Sequence, residues 1–283
     1  MSKRIGLVGL DSSHAEDFLR HFNLEGRHNG IRITAMADAD GSRMAELDAF
    51  APGLVRATEL DELLGMVDAV IVGHRHGDLH RAAAIASLAA GKPTFVDKPL
   101  ANSVDDAAAI VAAAERHGTP LLSGSALRWQ AETARLKARL AGIDGDREVM
   151  AYGTWYPNSE YGGPIFYAIH TVELVQELLG VDWKKLKRKS GSSPAVQFRA
   201  NGATVTLEFR PLGPAGNSAF GVEVVAKDLG FKQPIPLGND YMAPVAAKFA
   251  KMLETGHACL SHEELLAPVR LMHEIEALLA AGA

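Results

Sequence analysis

The 283 residues are 47% hydrophobic, enough for two cores of ordinary domain size, and carry a formal net charge of -5. That balance excludes a basic nucleic-acid footprint, and the one basic run, Lys184-Lys185-Leu186-Lys187-Arg188-Lys189, reads as a solvated strand edge. A lone cysteine, Cys259, excludes a disulfide framework or a cysteine-rich zinc site. The apolar run from Ile5 breaks at Asp11, too early for a signal peptide or membrane span, so a soluble cytoplasmic protein is expected.

Ile5 to Leu10 has strand length, and Asp11-Ser12-Ser13-His14 opens a helix with Phe18, Leu19 and Phe22 at helical spacing. Ile31 to Ala37 reads as a second strand, and Arg43 to Phe50 as the next helix. Leu60 to Leu64 predicts a short helix, Asp68 to Val72 a third buried strand, and Asp78 to Ala90 an alanine-rich helix closed by Gly91. Thr94 to Val96 is a short strand ending at Asp97-Lys98-Pro99. Ser103 and Asp106 have capping-box spacing for a helix through His117, followed by Gly118 and a strand from Pro120 to Ser123. This alternation predicts an α/β domain over residues 1–122 with a doubly wound, mostly parallel sheet.

From residue 123 the rhythm changes. Arg128 to Leu140 and Ile165 to Leu179 are helical, but Val149 to Tyr156 and Ala203 to Arg210 alternate with period two. With Ala195 to Arg199 and Phe220 to Lys227 they predict an α+β domain over 123–283, its open, mostly antiparallel sheet covered on one face by a helix. Val245 to Leu253 and Ser261 to Ala280 close the chain as helices, the second with a Ser261/Glu264 capping box.

A dinucleotide fingerprint places three glycines after the first strand; here the positions are Gly9, Asp11 and His14, so only the first is met. Amides and hydroxyls of Ser12 and Ser13, beyond Leu10, still favour an anion, or Asp11 or Ser12 simply caps the helix. Asp38 closes the second strand, where a carboxylate takes both ribose hydroxyls of an adenosine and favours NAD over NADP; Arg43 weakens the preference. His74, Arg75, His76 and His80 share one loop at the ligand edge, suited to offsetting Asp11 beside a pyrophosphate, to a metal, or only to solvent. Lys98 and Asp97 end a buried strand at that same edge. His170 and Glu173 lie three apart on a helix, one able to act and the other to orient it, or both merely buried. Trp155, Asn158 and Tyr161, with Tyr156 and Glu160, mix aromatic and hydrogen-bonding groups that suit a polyhydroxylated ligand or an ordinary loop.

With these pieces in order the chain resembles the glucose-fructose oxidoreductase and inositol dehydrogenase family, Gfo/Idh/MocA. The resemblance rests on Val67 to Val72, His80, Gly91-Lys92, Asp97-Lys98-Pro99 and Gly118-Thr119-Pro120, and on His170-Thr171-Val172-Glu173 with Leu178-Leu179-Gly180. It implies a Rossmann domain, a second domain whose sheet makes a homodimer or homotetramer, NAD or NADP as cofactor, and oxidation or reduction of a carbinol of a sugar or cyclitol. Lys98 and His170 would then be the acid/base or orienting groups, with Lys98, Trp155, Asn158, Tyr161, His170 and Glu173 at the substrate. Gly9 to His14, Asp38, Arg43, His74 to His76, His80, Asp97 and Lys98 would lie at the cofactor. No metal, nucleic acid or membrane is expected.

Departures from the pattern keep two alternatives in view. Phe166 stands where the resemblance calls for an aspartate, Arg75-His76-Gly77 replaces a Thr-Pro-Asn loop, and Asp11 occupies the second glycine position. The alternatives are a non-catalytic ligand-binding or regulatory protein on the same fold, and a metal-assisted lyase or isomerase using His74 to His80.

Overall fold

The computed structural model describes residues 2–37, 40–143, 145–213, 218–227 and 229–281. They form two compact units, Met1–Gly124 with Met242–Leu266, and Ser125–Tyr241 with Ala267–Ala283. A boundary at 122/123 with everything after it in one domain is the sequence expectation; by contacts, residues 242–266 return to the first unit.

In the first unit β1 (Lys3–Val8) leads through a turn into α1 (His14–Leu19), which continues as a wider helical turn over Arg20–Leu24. There follow β2 (Ile31–Ala37), α2 (Gly41–Phe50), β3 (Val55–Ala57), α3 (Leu60–Met66) and β4 (Ala69–Val72). A short turn over Gly77–Leu79 enters α4 (His80–Ala89), and β5 (Thr94–Val96), α5 (Val104–His117) and β6 (Leu121–Ser123) complete the series. The strands order β3-β2-β1-β4-β5-β6 and every neighbouring pair is parallel. Continuous apolar runs such as Ala69–Val72 are fully buried, as a sheet covered on both faces requires. The sequence pattern gave no sign of β3, whose Val55 and Arg56 are exposed on the sheet edge.

Helix starts follow local chemistry. Asp40 caps α2, its Oδ1 accepting from Ser42 N at 2.9 Å and Arg43 N at 3.3 Å. Ser103 caps α5 by accepting from Asp106 N at 3.0 Å, but the Asp106 carboxylate turns to Arg81 at 2.8 Å, so that expected capping box is half closed.

The second unit begins with a short turn over Ala126–Trp129 and α6 (Ala131–Ala141). Then come β7 (Arg147–Thr154), α7 (Ile165–Leu179), β8 (Trp183–Arg188), β9 (Ala195–Ala200), β10 (Ala203–Arg210), β11 (Gly221–Ala226) and β12 (Leu229–Pro234). The sheet order is β12-β11-β7-β10-β9-β8. All pairs are antiparallel except β7 with β10, which run parallel at the centre, so the sheet is mixed. The basic run forms β8 at one edge, its lysines solvated. Gly153 of β7 lies against α7 so closely that a Cβ there would collide with Thr171 Oγ1.

The chain ends with α8 (Ala243–Thr255) and α9 (His262–Ala280). α8 belongs to the first unit, where Phe249 packs against Phe22 and Phe95 with ring centroids 6.4 and 5.9 Å apart. Ahead of α9 both halves of the capping box form, Ser261 N donating to Glu264 at 2.8 Å and Glu264 N to Ser261 Oγ at 3.3 Å. Among the described residues no helix is long and apolar enough to cross a membrane.

Candidate active site

Three strand ends of the first unit converge through hydrogen bonds. After β1, Gly9 takes φ +75°, and a Cβ there would strike the His74 ring, so backbone conformation and space both require glycine. Beyond it the amides of Ser12 and Ser13 make no hydrogen bond within the described chain, while Ser12 Oγ accepts from His14 N at 3.2 Å. Asp11, at the second glycine position, turns its carboxylate to the Arg75 amide, at 3.2 and 3.3 Å, so the backbone of the β4 loop offsets its charge rather than the Arg75 guanidinium. Asp38 lies outside the described residues. Arg43 reaches back to the turn, donating to Leu10 O at 2.8 Å, Ser12 O at 3.4 Å and Glu16 at 2.7 Å.

At the end of β5, Asp97 is 3% exposed and Lys98 7%. Asp97 Oδ2 pairs with His14 Nδ1 at 2.5 Å, and Oδ1 accepts from Lys98 N at 2.8 Å. Burial alone would raise the Asp97 carboxyl, but the charge and hydrogen bond of His14, with the charge and amide of Lys98, outweigh it and hold the group down at about 2. Asp97 is thus a buried strut that fixes His14 and the Lys98 backbone.

His80 is also held within the fold. It is fully buried, with Nε2 2.7 Å from His74 O and Nδ1 2.9 Å from Pro99 O, so it ties the β4 loop to the segment after β5. Both ring nitrogens face carbonyls, which removes His80 from any ligand set; among the described residues no group of three His, Cys, Asp or Glu is arranged for a metal. His76 Nδ1 accepts from Asp78 N at 3.4 Å and lies 3.3 Å from Asn102 Nδ2.

Because the Asp97 carboxyl titrates below its ordinary value, its contribution to stability is complete above about pH 4 and is lost as pH falls towards 2. Wild type is therefore expected to lose about 2 kcal/mol more unfolding free energy than Asp97→Asn over that interval, read from urea melts at each pH. Equal losses would show that His14 and Lys98 do not hold the carboxylate.

In the second unit His170, on α7, sets Nδ1 2.6 Å from Ser125 Oγ and its ring 5.5 Å from that of Phe220. Glu173 does not orient it directly. Its Oε2 accepts from Ser125 N and Arg128 Nε, each at 2.7 Å, and the carboxylate is buried. Arg128, 3% exposed, also reaches Glu177 at 3.4 Å, and its Nη2 is buried without a partner.

The polar and aromatic loop after β7 presents an exposed Asn158 and a half-buried Tyr161, whose ring lies 4.8 Å from buried Phe166. Half-buried Trp155 packs on Phe209 at 5.0 Å. Sequence reasoning missed Ser125 and Arg128. Their signal was positional: Ser125 comes two residues after β6 ends.

Residues 3–125 match the profile of the oxidoreductase family with an NAD-binding Rossmann fold, Gfo/Idh/MocA. An inositol 2-dehydrogenase of Cereibacter sphaeroides is 33% identical over 132 residues, 45% of this chain and 37% of that protein. The chain spans 37% to 57% of the length of the curated relatives it matches first. A probable dehydrogenase from Thermotoga maritima superposes with a TM-score of 0.81 at 17% identity, covering 99% of this chain and 97% of that one. The myo-inositol 2-dehydrogenase from Lactobacillus plantarum gives 0.83 at 14%, covering 100% and 98%, so the likeness in fold extends over both units. The parallel sheet, its β1 turn and the profile match agree: over residues 3–125 the chain is similar to the Gfo/Idh/MocA family of oxidoreductases and has the Rossmann fold of that profile.

Proposed function

We propose that the chain is an NAD-dependent oxidoreductase that transfers hydride between nicotinamide and a carbinol of a sugar-like or cyclitol substrate, with Lys98 and His170 as acid/base or orienting groups. The observation that carries this is Lys98, a buried lysine at the carboxyl end of β5, beside the point where the strand order turns from β1 to β4. Open α/β sheets bind ligands at that edge. Gly9 and the two unbonded amides of Ser12 and Ser13 fit a pyrophosphate there. Arg43 is engaged with two carbonyls and Glu16, which favours NAD over a 2′-phosphorylated cofactor.

The cofactor supplies the hydride acceptor or donor. Removing a proton from an alcohol needs a neighbouring group that exchanges protons readily, and lysine and histidine both qualify. The inositol dehydrogenase relatives favour a cyclitol or sugar substrate, with Asn158 and Tyr161 among its contacts. Assembly as a homodimer or homotetramer through the second unit's sheet belongs to the same proposal.

Ser125 holds the His170 ring by Nδ1 and is itself fixed by Glu173. Ser125→Ala is expected to lower kcat/KM about 10- to 100-fold and to shift its pH profile, with Ser125→Thr restoring both. An unchanged profile would remove Ser125 from the mechanism.

A second reading, a ligand-binding protein without turnover, is favoured by Asp11 and the His74 ring crowding the β1 turn. Titration with NADH and NADPH, following nicotinamide fluorescence and binding heat, separates the two. Micromolar NADH binding with weaker NADPH binding is expected, after which a polyol screen identifies the substrate. Failure of the folded protein to bind either nucleotide would overturn the oxidoreductase reading.

A further inference from the structure

The second unit contains a cleft of about 970 Å³ that His170, Asn158 and Tyr161 do not line. Its apolar surface comes from Trp155, Pro164 and Leu279. The Trp155 indole, expected from sequence at the substrate, borders this cleft, backed by Phe209. One wall is cationic, formed by Arg188 at the end of β8 and Lys189 after it. Neither has an ion-pair partner among the described residues, whereas Arg128, Lys137, Arg210 and Lys232 of the same unit are all paired with carboxylates.

From that wall the hairpin loop contributes the hydroxyls of Ser190, Ser192 and Ser193, which make no hydrogen bond within the described chain. Glu276 of α9 also borders the cleft. Its Oε1 is buried and has no hydrogen-bond partner. A buried acceptor left unpaired is costly, and a hydroxyl donor from a ligand relieves it.

We propose that this cleft is a second ligand site, for a hydroxylated organic anion of sugar size: a sugar acid or a sugar phosphate. Two unpaired cations select the negative group. The serine hydroxyls and Glu276 Oε1 serve the ring hydroxyls, and the indole accepts the apolar face of the ring. Burial raises the Glu276 carboxyl, so the acid opposes an incoming anion less than an exposed glutamate would. The cleft lies within one unit and the site requires no nicotinamide, so it stands whether or not the chain is a dehydrogenase.

Calorimetric titration of the full chain, without nucleotide, with D-glucuronate, D-glucose 6-phosphate and neutral D-glucose tests this. At least one anion is expected to bind saturably, with D-glucose at least about tenfold weaker. Binding of glucuronate alone identifies a carboxylate ligand, and of glucose 6-phosphate alone a phosphate ligand; both satisfy the proposal. Arg188→Ser/Lys189→Ser, at two exposed positions, is expected to weaken anion binding at least about tenfold, while His170→Ala leaves it within about twofold. Thermal melts of both variants establish that they are folded. Absence of saturable binding, equal binding of D-glucose, or loss in His170→Ala with retention in the double variant would each overturn it.

Discussion

Lys98→Met is expected to lower kcat by about 1,000-fold or more while NADH affinity stays within about threefold. Methionine keeps the length and most of the volume of a side chain that is almost wholly buried, so the packing around β5 survives and only the ammonium is lost. The Lys98 amide still donates to Asp97, and Asp97 still holds His14, because those bonds do not use the side chain's charge. A fall in turnover without a fall in nucleotide binding places Lys98 at the reacting hydroxyl. Turnover at the wild-type rate, followed by NADH absorbance with the substrate from the polyol screen, would defeat the assignment. A parallel loss of NADH binding would make Lys98 a cofactor contact instead.

The largest effect on stability is expected at Arg128. The Arg128 and Glu173 side chains are both almost fully buried and meet at 2.7 Å, and Glu173 also anchors the Ser125 amide. Arg128→Met leaves a carboxylate in the interior with one amide donor, and should cost about 3–5 kcal/mol in urea unfolding. Removing both charges is different. Arg128→Met/Glu173→Leu gives up the attraction and the desolvation penalty together, so the double variant should recover much of the loss. A double variant as unstable as Arg128→Met would show that packing by the guanidinium, rather than the stranded charge, sets the cost. Glu173→Leu also frees the Ser125 amide, so it should disturb His170 in the same sense as Ser125→Ala.

The first unit was largely legible in sequence because parallel strands buried on both faces announce themselves as apolar runs: Ile31–Ala37 and Thr94–Val96 have the expected bounds. The short or exposed edges were not. Val55–Ala57 offers three residues with two exposed, and Leu229–Pro234 shows no buried face, so neither carries a hydrophobic signal. Alternation in Val149 to Tyr156 and Ala203 to Arg210 reveals strands but not the direction of their partners, and the parallel pairing of β7 with β10 had to come from the structure.

Lys98 and His170 enter the proposal through spacing and resemblance. The roles of their neighbours were not legible, because a side chain's type does not say which of its possible partners it meets. His80 and Asp97 have the chemistry of ligands, yet backbone carbonyls hold one and His14 with an amide holds the other. Ser125, unremarkable in sequence, meets His170 across 45 positions of chain.

The placement of Phe249 bears on how the molecule is made. Its ring sits against Phe22 and Phe95, which lie 227 and 154 positions earlier, and Phe95 in turn meets Phe18 at 5.5 Å. A chain emerging in order from the ribosome therefore completes the strands of its first unit long before it can close that unit's aromatic core. Until α8 is synthesised, the faces of Phe22 and Phe95 that receive Phe249 stay open, while in sequence the whole sheet of the second unit comes first. Contacts of such long sequence separation fold slowly, because the loop entropy is lost before the contact returns any energy. Nascent chains that end before α8 thus expose an apolar patch that is a natural target for chaperones.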